Sequence, residues 1–201
     1  YQLSSRYDGD WKLEYVPYFA RKYVRRLDAE EIHDAILKAT GIMPTQAFNG
    51  QPAQVGYVIT DDVNNEVRRA TWAMQLPEPV EPRTNGAAKA FLDSFLRGDR
   101  DQKLRTFEPS VLQSLNLMNN SFVMGRIHRA NTGSLVARLL ANTSLTNEQI
   151  IKQLYLTTLS REPSDSELKK LTPYFTTLSK QVATESVQWV LLNKVDFMFN
   201  Y

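Results

Sequence analysis

Two histidines are the first residues of this sequence whose type and spacing could do chemistry. His33 follows Glu30 by three positions, which places an imidazole and a carboxylate on one helix face, as di-iron helical bundles require. Such a centre needs a second Glu-x-x-His pair, but Gly125 stands three positions before His128. We therefore interpret Glu30 and His33 as part of a helix cap and an exposed helix face, and we predict no metal site and no bound cofactor.

Acid–base catalysis is a second interpretation of the same region. Asp28, Glu31 and Asp34 lie close to His33 in the sequence, and paired carboxylates with separated pKa values can hydrolyse a polymer such as an extracellular polysaccharide. These residues all fall at one predicted helix start, where capping explains carboxylates equally well. A hydrolase stays open as an alternative, and we predict no catalytic residue.

Other motifs of catalysis and ligand binding are missing from the sequence. There is no Gly-x-Ser-x-Gly elbow for a serine nucleophile, and the eight glycines form no phosphate-binding loop. Zero cysteines exclude disulfides, cysteine zinc sites and iron–sulfur clusters. The polar run from Asp61 to Glu66 lacks the spacing of a calcium loop and is interpreted as a turn.

A basic, aromatic stretch near the N-terminus is the best candidate for binding a partner. Its cations alternate with tyrosines and a phenylalanine, and a tryptophan precedes them in a polar context. The whole chain carries a net charge of only +2, which argues against nucleic acid. We therefore predict a contact with a protein, made by five residues: Trp11, Arg21, Lys22, Arg25 and Arg26.

The three tryptophans leave a carbohydrate-binding module open as a further alternative. A tryptophan ring can serve as a stacking platform for a sugar. Trp189 lies on an apolar helix face and is predicted to be core, whereas Trp11 stands in a polar stretch. Trp72 is the remaining candidate.

The elements that must position these residues are mostly helices. With 201 residues, 42% hydrophobic and 23% charged, the chain can bury a real core and is predicted to form one domain, 1–201. We divide it into an N-terminal aromatic and basic segment with a helix (1–44), an irregular or β insertion with a proline-rich connector (45–86) and a helical bundle (87–201). The fold class is therefore mainly α, a helical bundle with a small irregular or β insertion around residues 45–80.

Local signals mark several boundaries within that plan. Asp28 is predicted to cap a first helix, Ser121 to cap a later one, and extended segments are predicted over 54–60 and 69–76. Capping boxes stand at 146–149 and 164–167. The apolar tail 196–201 is expected to dock on the bundle, and no apolar run reaches the roughly 18 residues of a membrane span.

Several stretches, taken together and in order, resemble the Planctomycete-specific cytochrome-associated C-terminal domain, a family of unknown function. The resemblance covers nearly the whole chain. It is carried by Tyr1-Gln-Leu-Ser-Ser5, Tyr18 to Glu30 with His33-Asp34-Ala35, Trp72 to Pro77, Phe91 to Phe95, Gln113 to Val123, Leu154-Tyr155 with Ser160 to Pro163, and Leu191 to Asn193 with Phe197 to Asn200.

The resemblance has implications for the location of the protein and for the proteins associated with it. In that family the domain ends a long exported protein that often includes a cytochrome c-like module. The resemblance therefore implies an extracytoplasmic, periplasmic location and a role near electron transfer, and it transfers no active site. We expect a non-catalytic interaction or scaffold domain that docks, as an accessory subunit or module, on a partner protein or a membrane-associated respiratory or photosynthetic complex.

Overall fold

The computed structural model describes residues 4–48, 51–60, 66–98 and 111–200. The fold is mainly α with small two-stranded sheets, which confirms the predicted fold class. The α-helices are α1 (Ala29–Thr40), α2 (Gly86–Ser94), α3 (Val111–Asn119), α4 (Ser121–Ile127), α5 (Leu135–Ala141), α6 (Asn147–Leu159), α7 (Asp165–Leu171), α8 (Tyr174–Thr177), α9 (Lys180–Leu192) and α10 (Val195–Met198). The strands are β1 (Arg25–Arg26), β2 (Thr45–Phe48), β3 (Gln51–Val55), β4 (Tyr57–Thr60), β5 (Val67–Ala70) and β6 (Phe199–Asn200), and 3-10 helices cover Leu13–Tyr18 and Ala73–Gln75.

Helix starts follow the polar signals of the sequence closely. The boxes at Thr146 and Ser164 both form, each with its side chain and the side chain three residues later bonded to backbone amides. The predicted cap at Ser121 is wrong by one residue. Asn120 caps α4 instead, because its side-chain oxygen accepts the Phe122 amide at 2.8 Å.

The β insertion consists of two antiparallel hairpins, β2 with β3 and β4 with β5. Between the hairpins, Gly56 has a φ of +116°, and a Cβ there would come within 2.9 Å of the Ala70 carbonyl oxygen, so only glycine fits. The predicted extended segment 69–76 is correct only up to Ala70. Beyond it the Gln75 side chain accepts the amides of Thr71 (2.9 Å) and Trp72 (3.0 Å) and closes a 3-10 turn.

The interior contains two apolar clusters. The first is built on α1, α2 and α4 with strand β4, and includes fully buried Ile36 and Phe91. The second lies between α5, α6 and α9 around Ile150 and Leu191. Leu159 at the end of α6 packs against both clusters and joins them.

The strand before α1 meets the C-terminal end of the described chain. β1 pairs antiparallel with β6, Arg25 opposite Asn200 and Arg26 opposite Phe199. The Leu27 amide also donates to the Met198 carbonyl at 2.8 Å, and Phe197 and Met198 are buried. The predicted docking of the apolar tail is confirmed as far as Asn200. None of the helices in the described ranges has the length and apolar character needed to cross a bilayer.

Candidate functional site

The N-terminal segment, residues 4–26, is organised around Trp11. The rings of Tyr7, Tyr15 and Tyr23 surround it, with centroids 5.3, 5.9 and 6.0 Å from the Trp11 ring. The guanidinium carbon of Arg21 lies 4.1 Å from the centre of the indole, a cation–π contact. We call these five residues the aromatic cluster. One face of Trp11 is therefore covered by Arg21, and the ring supports the segment instead of offering an open platform.

The predicted partner-binding cations sit close together but have separate local contacts. Lys22 donates from Nζ to Asn200 Oδ1 at 2.6 Å, across the β1–β6 pair. Arg25 forms ion pairs with Asp28 (3.4 Å) and Glu31 (3.2 Å) at the start of α1. Arg26 is buried, and burial lowers the pKa of its guanidinium while the nearby Asp28 carboxylate raises it. These cations hold the N-terminal segment to the body of the protein.

Beside the aromatic cluster lies a row of exposed apolar side chains. Leu13 is 83% exposed, Tyr18 78% and Phe19 73%, and Val16 is also exposed. In a 3-10 helix the side chains at i and i+3 align, so Leu13 and Val16 share one side, while Tyr18 is the last residue of the helix and Phe19 its left-handed C-cap. We call these four residues the N-terminal apolar surface. Tyr18 and Phe19 belong to the basic, aromatic stretch singled out above, whereas Leu13 and Val16 were not predicted to be exposed, although their three-residue spacing was a usable signal.

The backbone at Phe19 is unusual for a bulky residue. Its φ is +50°, in the left-handed region, where a β-carbon meets the following carbonyl oxygen. The Phe19 amide donates to the Val16 carbonyl at 3.3 Å and closes the 3-10 helix. The helix therefore ends at an exposed aromatic residue, at a local cost in conformational energy.

His33 lies in a buried hydrogen-bond chain, so the predicted exposed helix face is wrong. Tyr57 donates its hydroxyl to Nε2 at 2.6 Å, and Nδ1 donates to Asp34 Oδ1 at 2.9 Å, since a carboxylate oxygen only accepts. The imidazole stacks on Phe122 with the ring centres 4.6 Å apart. His33 and Tyr57 are fully buried. Burial lowers the pKa of His33 and raises the pKa of Tyr57.

Asp34 extends this chain to the insertion. Its two carboxylate oxygens accept the amides of Ala73 (2.7 Å) and Met74 (3.1 Å), at the start of the second 3-10 helix. The chain therefore ties α1, β4 and that 3-10 helix together. Because the rings of His33 and Tyr57 are buried, we interpret this hydrogen-bond chain as a structural connection between the three elements.

Glu30, the other half of the Glu-x-x-His pair, is also buried and pairs with Arg97. The Arg97 Nε lies 2.8 Å from Glu30 Oε1, and the two side chains are only 2% and 4% exposed. The guanidinium also donates to the carbonyls of Glu78 (3.0 Å), Pro79 (3.2 Å) and Glu81. Arg97 thereby fastens the proline-rich connector to α1. No signal in the sequence distinguished it from the charged residues that follow.

The carboxylates of the hydrolase alternative all have backbone partners, local ones for Asp28 and Glu31 and distant ones for Asp34. Glu31 accepts the Asp28 amide at 2.7 Å, and the two residues form the capping box of α1. Asp34 is engaged as described above. Within the described ranges, no group of three or more His, Asp or Glu side chains is placed to hold a metal ion. Asp61 to Asn65, interpreted above as a turn, lie outside the described residues.

The remaining candidates of the sequence are dispersed. Trp72 is partly buried against the first apolar cluster. Trp189, predicted to be core, is half-buried and donates from Nε1 to the Met118 carbonyl at 3.1 Å. His128 is exposed at the C-terminal end of α4. The structure does not bring the three tryptophans together.

A second charged group joins α6, α7 and α10. Arg161 lies 2.8 Å from Glu167 and 2.8 Å from Asp196, and Lys194 Nζ lies 2.6 Å from Glu167. The hydrogen bonds from Arg161 hold the pKa of Glu167 well below its usual range, although burial opposes them. Glu167 also closes the capping box of α7. This group fixes the turn between α6 and α7.

Replacing Glu167 with glutamine should lower the free energy of unfolding by about 1 kcal/mol, because partly exposed ion pairs are screened by water. A carboxyl whose pKa is depressed by folding stabilises the protein above its ordinary pKa, and this contribution disappears as the pH falls below it. Urea denaturation at neutral pH measures the loss. Glu148→Gln, which breaks the exposed pair with Lys152 (3.3 Å), is the control and should change almost nothing. Equal losses in both variants would contradict this account.

Comparison with known protein families identifies a family for this chain. The family model described as "PSD1: Protein of unknown function (DUF1553)" matches residues 1–175 of the chain. No curated protein and no solved structure matches it significantly.

Proposed function

Because this chain belongs to the PSD1 family of proteins of unknown function, we propose a role for it from the contacts above: a non-catalytic interaction domain that docks on a partner protein through its N-terminal apolar surface. The observation that carries this proposal is the exposure of Leu13, Tyr18 and Phe19, at 83%, 78% and 73%. Adjacent exposed apolar side chains of this size are typical of interaction sites.

The N-terminal apolar surface belongs to the same segment as the aromatic cluster. The Phe19 amide closes the 3-10 helix on the Val16 carbonyl. Aromatic side chains lose little conformational entropy on binding and are enriched, with arginine, among the residues that dominate interface energies. The exposed aromatic side chains of this surface therefore favour docking on a partner over contact with solvent alone.

Charge indicates the chemistry of the partner. Residues 4–26 contain six Lys or Arg against three Asp or Glu, an excess of three positive charges, whereas the whole chain carries +2. Complementary potentials steer association and fix orientation. The partner is therefore a protein with an apolar contact area bordered by acidic residues.

The proposal also covers the location of the protein and the complex to which it belongs. The resemblance to the Planctomycete-specific cytochrome-associated domain supports an extracytoplasmic, periplasmic location. It also supports a role as an accessory module of a membrane-associated electron-transfer complex, respiratory or photosynthetic.

Site-specific crosslinking tests the docking surface. A photoreactive phenylalanine analogue at position 18 should crosslink to one acidic-bordered protein in the native envelope fraction, identified by mass spectrometry. The same analogue at position 174 is the control, since Tyr174 is also exposed, at 53%, but lies on α8. With the purified partner, Phe19→Asn should weaken binding about tenfold or more, because asparagine tolerates the left-handed backbone but removes the ring. Equal crosslinking from positions 18 and 174, or unchanged affinity in Phe19→Asn, would refute the proposal.

A further inference from the structure

A cleft between α4 and α9 has a lining that the docking surface does not use. Its volume is about 350 Å³, near the lower end of the range for ligand-binding pockets. The end of α4 contributes Met124, Ile127 and His128, and α9 contributes Glu185, Ser186 and Trp189. Each side of the cleft thus combines apolar or aromatic side chains with polar ones.

The bonds around His128 determine which atom it offers to a ligand. The Ala130 amide donates to His128 Nδ1 at 3.1 Å, so Nδ1 is the acceptor of the ring. In the neutral imidazole the proton then sits on Nε2. His128 is exposed, and it therefore presents a hydrogen-bond donor to the cleft.

Glu185 is held in place and offers an acceptor. Its Oε1 accepts the Arg129 amide at 3.0 Å and the Gln181 side-chain amide at 3.0 Å. These two bonds fix the carboxylate, and Oε2 makes no hydrogen bond within the described part of the chain. Ser186, one residue further along α9, adds a hydroxyl that can both donate and accept.

Trp189 supplies a flat apolar surface of fixed orientation. Its indole nitrogen donates to the Met118 carbonyl, which uses the only polar group of the ring. Met124 and Ile127, on α4, add apolar side chains to the lining. A ligand placed here meets an aromatic surface and, beside it, a donor, an acceptor and a hydroxyl.

From this combination we infer that the cleft binds a neutral polyhydroxylated ring, a sugar unit, with its C–H face against Trp189 and its hydroxyls on Glu185, His128 and Ser186. Hydroxyls both donate and accept, so they satisfy the His128 donor and the Glu185 acceptor together. An ammonium ligand would place a donor against the Nε2–H of His128. A carboxylate ligand would lie against the negative charge of Glu185.

This site is separate from the proposed docking surface, and the test keeps the two apart. Isothermal titration calorimetry of the full chain would use cellotetraose, maltotetraose, xylotetraose and laminaritetraose, with n-butylammonium and acetate as charged comparisons. Parallel titrations with the parent polysaccharides show whether the sugar unit bound in the cleft comes from a free oligosaccharide or from a polymer. We expect at least one of the neutral saccharides to bind and neither charged compound to do so.

Variants then locate the binding. Glu185→Gln should weaken saccharide binding about tenfold, because it removes a charge-assisted hydrogen bond. Ser186→Ala, at an exposed helix position that alanine suits, should also weaken it without affecting the fold. Phe19→Asn, in the N-terminal apolar surface, should leave it unchanged. The inference is overturned if none of the saccharides binds, if n-butylammonium binds more tightly, or if Glu185→Gln and Ser186→Ala bind as the native chain does.

Discussion

Replacing Arg97 with alanine is expected to destabilise the fold by about 3–5 kcal/mol, the largest effect of any single polar substitution considered for this protein. The loss has two parts. Glu30 would keep a buried charge without its ion-pair partner, 2.8 Å away in the native protein. The carbonyls of Glu78, Pro79 and Glu81 would also lose a shared donor, and buried acceptors left unpaired are costly. Urea denaturation measures the change as a lower midpoint with a similar slope.

Two further variants separate the ion pair from simple loss of volume. Arg97→Met combined with Glu30→Gln should recover part of the stability, because the uncompensated charge is gone. Asp93→Ala, which breaks the exposed pair between Lys89 and Asp93 on α2, should cost only about 0.5 kcal/mol. A similar loss in Arg97→Ala and Asp93→Ala would mean that the buried pair does not stabilise the connector.

Acidification below pH 6.5 is expected to reduce the free energy of unfolding through His33, by up to about 1.4 kcal/mol for each pH unit. Burial lowers the pKa of this imidazole, while Asp34 raises it and the cations Arg126 and Arg97 lower it further. Below the ordinary pKa of about 6.5 the unfolded chain therefore binds a proton that the native chain does not. Stability is then full above that pH and falls by about 1.4 kcal/mol per unit as the pH decreases towards the folded-state pKa.

A substitution of His33 isolates its share of the pH dependence. His33→Gln should be less stable at pH 7, because it breaks the chain from Tyr57 to Asp34. It should also show a flatter stability profile between pH 5 and 6.5. His128→Gln, which changes the exposed histidine, should keep the steep profile of the native chain. An identical slope in the native protein and in His33→Gln would remove His33 as the cause.

Local signals explain why much of the helical part could be predicted. The capping boxes at Thr146 and Ser164 involve side chains only three residues apart, so sequence spacing alone defines them. The same holds for Asp28 with Glu31 at the start of α1. The mainly α fold and the position of the β insertion follow from such signals together with apolar periodicity.

Contacts between residues that are distant in the sequence could not be predicted from it. His33 pairs with Tyr57, 24 positions away, and Glu30 with Arg97, 67 positions away. A charged side chain at the start of α1 is predicted to be exposed, because buried charges are rare unless they are paired. Only the tertiary structure supplies those partners.

The candidate site could likewise be predicted only in part from the sequence. Composition alone placed Trp11 and the four nearby cations in one segment, and the structure finds Trp11 and Arg21 in direct contact. Whether these residues bind a partner stays a prediction. Composition could not indicate that Lys22 and Arg25 reach Asn200 and the start of α1, nor that Leu13, Tyr18 and Phe19 form the exposed surface beside them.

The pairing of β1 with β6 bears on how this protein is made. The ribosome synthesises Arg25 and Arg26 well before their strand partners Phe199 and Asn200, which follow roughly ten seconds or more later at about 5–20 residues per second. Until those partners have been synthesised, β1 cannot form this pair. The segment that we propose as the docking surface therefore gains its contact with β6 late, which delays recruitment of a partner until the intervening helices have been synthesised.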